Sequence, residues 1–204
     1  MTFVKLCGLM SEQDAAAAAD AGADAAGMIL TPGYRRSVTR AEAQKIRNAL
    51  GANIRLCGVF VNASLQEIVS FADDGLIDFV QLHGREDNDY ISRLKQMCLN
   101  LTIIKAFVVK GPEDIQAAES SAADLVLLDG GTGQGLAFDR SYVSGMNRPF
   151  ILAGGLTPDN VSQAVRELHP FAVDTSSGIE TNGKKDPAKM KAFVQNAKME
   201  DSGL

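Results

Sequence analysis

The 204-residue sequence predicts one (β/α)8 barrel spanning residues 1–204, and three observations carry that prediction. Short β-branched or Leu-rich runs alternate with helical patterns eight times, the signature of βαβ units in a parallel sheet. Each unit takes about 25 residues, which leaves no length for a second domain. Glycines collect after the sixth and seventh strands, with Gly178 after the eighth, and barrels of this class place phosphate sites after strands seven and eight. An open dinucleotide-binding sheet would instead need G-x-G-x-x-G after an early strand, and Cys7-Gly8-Leu9-Met10 lacks it.

The elements follow in order. The first strand is read over Thr2–Cys7, with Lys5 and Cys7 on one face and Val4 and Leu6 on the other, because side chains alternate with period two. Ser11 followed by Asp14 marks a helix start with capping-box spacing. The second strand covers Ala25–Leu30, and Thr39 with Glu42 opens the helix behind it. The third, Ile54–Val61, is followed by Ser64 with Glu67 in the same spacing. Strands four and five fall at Asp78–His83 and Leu101–Phe107, and Pro112 then sits where a first helical turn tolerates it. Strand six, Leu125–Asp129, runs into Gly130–Gly135, and its helix must fit into Asp139–Met146. Strand seven is Phe150–Ala153, with Pro158 in the first turn of its helix. Strand eight is Phe171–Asp174, and Asp186-Pro187 opens a last helix ending near Lys198.

Composition narrows the function. Twenty Lys and Arg stand against 25 Asp and Glu, a net charge of −5 with no basic cluster. Nucleic acids are held through Lys and Arg on phosphates, so they are not expected partners. The longest uncharged stretch, Leu56–Gln66, is eleven residues. A bilayer-spanning helix needs roughly 20 apolar residues. Lys5, Glu12 and Asp14 break up any signal peptide. A cytoplasmic protein, monomeric or homodimeric and without a membrane partner, is expected. Cys7, Cys57 and Cys98 form no C-x-x-C pair, and two histidines are too few for a His-based zinc site, so neither metal nor cofactor is expected. Cys57 and Cys98 lie in apolar runs and read as buried thiols.

Function in this fold lives at the C-terminal ends of the strands. Gly154-Gly155, with Ser176-Ser177-Gly178 on the adjacent strand, offers backbone N–H groups to an anion. The alternative for Gly154-Gly155 is a plain tight turn. A phosphorylated small molecule is the expected ligand. Asp129 ends the apolar run Leu125–Leu128 and suits a general acid, or else caps its own loop. Cys7 serves as a base only if a neighbour stabilises its thiolate, because a thiol titrates at about 8.5, and Lys5 is one such neighbour. Otherwise Cys7 is a core thiol. His83 is the alternative base, or a hydrogen-bonding wall of the mouth beside Gln81 and Asp174.

These residues, taken with their surroundings, resemble the phosphoribosylanthranilate isomerase family of tryptophan biosynthesis. The matching segments are Val4–Leu9, Gly58–Asn62, Val80–Gly84, Leu127–Gly133, Leu152–Leu156 and Val173–Glu180 with Gly183 and Asp186. Six segments in order at comparable spacing cover essentially the whole chain. The resemblance implies a cofactor-free barrel that converts N-(5-phosphoribosyl)anthranilate to the 1-deoxyribulose 5-phosphate derivative, an Amadori rearrangement. It puts the base on Cys7, the acid on Asp129 and the phosphate on Gly154, Gly155, Ser176, Ser177 and Gly178. Arg36 falls where the family's arginine meets the anthranilate carboxylate, through a planar fork suited to two oxygens. Gln81, His83 and Asp174 are then substrate contacts.

Two departures stand out. The family usually reads S-P-R-Y-V around its arginine, whereas this chain has Tyr34-Arg35-Arg36-Ser37-Val38, which leaves the pocket arginine ambiguous. After strand six it often reads F-D-W, and here Phe138-Asp139-Arg140 stands instead. The histidine-pathway isomerase, which runs the same chemistry, resembles an aspartate pair with one member in the place of Cys7. A silent phospholigand-binding barrel is the rival from another class.

Overall fold

In the computed structural model, the period-two pattern resolves into eight parallel strands closed on themselves: β1 (Phe3–Leu6), β2 (Ala25–Ile29), β3 (Arg55–Phe60), β4 (Phe79–Leu82), β5 (Thr102–Val108), β6 (Leu125–Asp129), β7 (Phe150–Ala153) and β8 (Ala172–Thr175). The ring closes through β1 and β8, where Lys5 stands opposite Asp174. Among the described residues, seven α-helices follow strands: α1 (Glu12–Asp20), α2 (Arg40–Leu50), α3 (Leu65–Asp73), α4 (Asn88–Met97), α5 (Pro112–Glu119), α6 (Val161–Leu168) and α7 (Pro187–Lys198). The structure describes residues 1–51, 53–130, 142–143 and 146–199. The glycines 131–135 and most of the helix expected over Asp139–Met146 lie outside the described residues, as does the Phe138-Asp139-Arg140 departure. No helix among the described residues is long and apolar enough to cross a membrane.

Alternation divides each strand between two cores. Val4 and Leu6, Leu56, Val80 and Leu82, and Val126 and Leu128 pack outward against Ile46, Ile91, Met190 and Phe193 of the helices. Burying each such side chain contributes about 1.5–3 kcal/mol. Inside the ring, Cys57, Ile104, Leu127, Ile151 and Ala172 form an apolar plug with Phe3, Phe79 and Leu125. Above the plug the inward positions turn polar, at Lys5, Gln81 and Asp174, and the strand ends above them form the mouth.

The expected helix starts are largely present, with differences that have local causes. Thr39 and Glu42 form a complete reciprocal box. Ser11 and Ser64 each cap one amide, but Asp14 turns its carboxylate to Met10 N instead of returning the bond. Pro112 and Pro187 occupy first helical turns. Pro158 does not, because Asn160 caps the Thr157–Asn160 turn and α6 begins only at Val161. Cys98, expected buried, is partly exposed at the C-terminus of α4, whereas Cys57 is buried and its thiol is pushed up to about 12, chiefly by burial. A small hairpin after β8, β9 (Glu180–Thr181) paired with β10 (Lys184–Lys185), had no signal in the alternation of runs.

Candidate active site

A cavity of about 340 Å³ opens at the C-terminal ends of the strands, and it gathers nearly every residue singled out in the sequence. Cys7 from the end of β1, Asp129 from β6, and Gln81 and His83 from β4 line it, with Asp174 of β8. Gly154, Gly155, Ser176 and Ser177 close one side, and Arg36 another. Gly178 stands behind the cavity wall. A Cβ there would lie 1.9 Å from the Leu156 carbonyl oxygen, so glycine is needed for packing beneath the loop.

Below the mouth, a lysine is sealed inside the barrel. Lys5 is 2% exposed. Its Nζ donates to Gln81 Oε1 at 2.9 Å and to Asp174 Oδ2 at 3.0 Å. Burial works against that ammonium, but Asp174 and the Cys7 and Cys57 thiols outweigh it and hold Lys5 above its ordinary range. Burial pushes the Asp174 carboxyl up, with Lys5 pulling it back. Asp174 Oδ1 is buried and, among the described residues, has no hydrogen-bond partner. An orphaned carboxylate oxygen lining a cavity is a ready acceptor for a ligand hydroxyl.

The lysine also settles the chemistry of His83. An ammonium only donates, so Gln81 must turn its oxygen toward Lys5 and its amide NH2 toward His83. Gln81 Nε2 then donates to His83 Nδ1 at 3.1 Å. The imidazole proton consequently sits on Nε2, which faces Asp129 Oδ2 at 3.7 Å. Burial lowers the His83 pKa, with Asp129 opposing, so the ring is neutral near pH 7. Its one lone pair is taken by Gln81. His83 is a donor toward Asp129, which disfavours it as the base.

The hairpin after β8 holds the two arginines differently, and of the two only Arg36 lines the cavity. Arg36 is 19% exposed and binds Glu180 side-on, Nε to Oε1 at 2.6 Å and Nη2 to Oε2 at 3.1 Å. Arg35 is 53% exposed and reaches away from the cavity, to Glu180 Oε2 and the Gly183 carbonyl. Lys185 completes the cluster through Glu180 Oε1 at 3.2 Å and the Ser176 carbonyl at 2.7 Å. Burial resists the Glu180 charge, but Arg36, Arg35 and Lys185 prevail and hold its carboxyl at about 2. Three cations around one carboxylate leave the rim positive. Glu180 takes the Nε and Nη2 edge of Arg36, so that side-on fork is occupied within the protein. Arg36→Ala is expected to raise KM about 10- to 100-fold, the loss of a charge-assisted contact, while Arg35→Ala moves it far less. Steady-state kinetics on both variants check this, and a reversed ranking would show that the loop places Arg35 on the ligand.

The glycine loop after β7 owes its shape to backbone sterics. Gly154 and Gly155 have φ of +90° and +65°, values that other L-residues adopt at a cost. A Cβ on Gly154 would lie 2.4 Å from Gly130 N and 2.6 Å from Asp129 Oδ1, so this glycine lets the loop press against the acid. Asn160 braces the loop through Thr157 N and the Gly155 carbonyl, and Thr175 Oγ1 ties it to β8 through the Leu156 carbonyl. The N–H groups of Gly155 and Leu156 meet no acceptor among the described residues, and both residues line the cavity.

Sequence reasoning assigned no role to Glu180, Lys185 or Gly27. Glu180 and Lys185 act through a short hairpin that periodicity does not reveal. Gly27 sits mid-strand, where only three-dimensional proximity shows that its missing side chain matters. A signal for Lys5 was present, in a lysine placed inside the apolar run Val4–Cys7.

Comparison with known proteins gives the same direction. The family model described as N-(5'-phosphoribosyl)anthranilate (PRA) isomerase matches residues 4–196. The N-(5'-phosphoribosyl)anthranilate isomerase of Lacticaseibacillus casei (strain BL23) is 41% identical over 199 residues, 97% of this chain and 96% of that protein. The crystal structure of phosphoribosyl anthranilate isomerase from Thermotoga maritima superposes with a TM-score of 0.89 at 34% identity, covering 98% of this chain and all of that one. A phosphoribosyl anthranilate isomerase in complex with reduced 1-(o-carboxyphenylamino)-1-deoxyribulose 5-phosphate gives 0.86 at 34% identity, over 98% and 100% of the two chains. Matched from the first strand to the last helix, the chain belongs to the N-(5'-phosphoribosyl)anthranilate isomerase family.

Proposed function

We propose that this chain converts N-(5'-phosphoribosyl)anthranilate to 1-(2-carboxyphenylamino)-1-deoxyribulose 5-phosphate, with Asp129 as general acid and Cys7 as general base. The observation that carries the reading is one cavity holding a thiol, a carboxyl and an anion-binding loop, with a guanidinium on its rim. The ligand's phosphate lies against the N–H groups of Gly154–Leu156 and the Ser176-Ser177 turn, where backbone donors and positive potential coincide. Its carboxylate lies at Arg36. That leaves the ribose between Cys7 and Asp129, with a hydroxyl donating to Asp174 Oδ1.

The proton steps then follow. Asp129 gives its proton to the furanose ring oxygen, the C1–O bond breaks, and the anthranilate nitrogen lone pair forms the C1=N iminium. His83 Nε2–H faces the carboxylate left behind and stabilises it. The Cys7 thiolate removes the C2 proton, the C–H electrons form C1=C2, and the iminium becomes a neutral enolamine. Tautomerisation delivers a proton to C1 as the C2 hydroxyl loses its own, giving the ketone. Positioned acid–base groups each contribute about 10²–10⁴-fold.

Purified protein is expected to extinguish the fluorescence of the anthranilate substrate in an assay coupled to the enzyme that consumes the ketose product. Inorganic phosphate should raise the apparent KM without lowering kcat, because it competes for one subsite. A protein that binds a product analogue yet shows no turnover would establish a silent binding barrel and overturn the proposal.

A further inference from the structure

We infer that Lys5 is a positioning residue whose sealed ammonium serves as the counter-charge of the Cys7 thiolate, and that Gly27 is the gap that lets the two side chains meet. The inference rests on the reading of Cys7 as base and goes beyond it, to what makes a buried thiol usable as one.

The geometry is specific. Lys5 and Cys7 project inward from the same strand two residues apart, and both end beside β2 at Gly27. A Cβ on Gly27 would stand 2.7 Å from Cys7 Sγ, 3.2 Å from Lys5 Cε and 3.3 Å from Lys5 Nζ. Any side chain at this position would occupy the space that thiol and ammonium now share. Lys5 is too buried to touch a ligand, and its other contacts are Gln81 and Asp174. A charge held there acts on its neighbours alone. One neighbour, Asp174, is a carboxylate that could have been paired from the rim without burying a lysine. The other is the thiol.

The charges around Cys7 divide by sign. Burial pushes the thiol upward, and Asp174 adds to that push. Lys5 pulls it down by charge and hydrogen bond, and Lys185 of β10 pulls from the far side. Cys57 on β3 faces the same lysine and stays protonated. Arg36 and Ser176 pack over Gly8, at the next backbone position, while His83 and Asp129 stand across the cavity. Lys5 is the strongest of the favourable charges, and it alone shares the strand and the packing gap with Cys7. An opposite charge within about 4–6 Å shifts a titration by about 1–3 units.

The test measures thiolate directly, without substrate. Iodoacetamide alkylation of Cys7, followed by peptide mass spectrometry across pH, gives its titration midpoint, because only the thiolate reacts. Lys5→Met should raise the midpoint by about one unit or more, slowing alkylation about tenfold or more at a fixed pH below it. Asp174→Asn should lower the midpoint, since a repelling carboxylate is gone. The double variant Lys5→Met/Asp174→Asn removes the ion pair as a unit and should still titrate above wild type. Opposite shifts from two partners of one ion pair are what a charge effect produces, whereas a purely structural role would move both variants the same way. If Lys5→Met alone fails to fold, the double variant and Asp174→Asn carry the comparison. An unmoved midpoint in folded Lys5→Met, or a double variant at or below wild type, overturns the inference. These outcomes are distinct from loss of the base assignment itself, which would show as an active Cys7→Ser enzyme while Lys5→Met and Asp174→Asn still shift the Cys7 midpoint in opposite directions.

Discussion

Asp129→Asn is expected to lower kcat by about 10²-fold or more while a product analogue binds almost as before. The substitution preserves shape and the close approach of Gly154 to Oδ1, which a larger residue would disturb. It removes the one thing the step requires, a carboxyl proton for the ring oxygen. The asparagine should turn its oxygen toward His83, because Nε2–H on that ring can only donate. Its amide nitrogen is therefore directed away from His83, and the pocket keeps its polarity. Single-turnover kinetics, with analogue affinity by titration, separate the two quantities. A variant that retains most of its kcat would show that the ring oxygen takes its proton from elsewhere. A large loss of analogue affinity with kcat preserved would make Asp129 a binding group.

Much of this architecture was legible in the sequence, and the physical reason is repetition. Eight inward–outward alternations, most with a cap or proline behind them, leave few topologies that bury both faces of every strand, and the placement of the glycines favours the closed barrel over the open sheet. Strand ends were readable to within about two residues because ladder bonding continues until a glycine or a polar turn stops it. The lining of the candidate site was legible where its residues sit on strand ends, at Cys7, Gln81, His83, Asp129 and Asp174. It was not legible where function depends on what crosses space. Nothing in the local sequence says that Glu180 reaches back across roughly 145 positions to hold Arg36, or that Arg35 takes the opposite side of the same carboxylate. The role of Gly27 is invisible for the same reason: a missing Cβ is informative only once the atoms it would strike are known. Gly178, read as a phosphate donor, also meets a packing demand that no local signal shows, the Leu156 carbonyl beneath it.

Cys7→Ser should lower kcat about as far as Cys7→Ala, by about 10²–10⁴-fold, although serine is the smaller change. A hydroxyl replaces the thiol at nearly the same volume, so the cavity, the Lys5 contacts and the phosphate loops remain. Acidity is what changes, because an aliphatic hydroxyl does not ionise in the range where a thiol with a reference value of about 8.5 does. The wild-type pH profile ties the effect to that ionisation. Burial raises the Cys7 pKa in spite of Lys5 and Lys185, so near neutrality the thiolate is the minor form. The base acts only when deprotonated. The kcat/KM of the wild type should therefore climb about tenfold per pH unit through neutrality and level off on the alkaline side of the ordinary thiol value. In Cys7→Ser that limb should vanish along with the activity. Should the serine variant keep near-full activity with the limb intact, the group titrating is not Cys7. His83 offers no ready substitute, because its only lone pair is committed to Gln81, and the base would then have to be sought among the carboxylates of the mouth, beginning with Asp174 and its unpaired Oδ1.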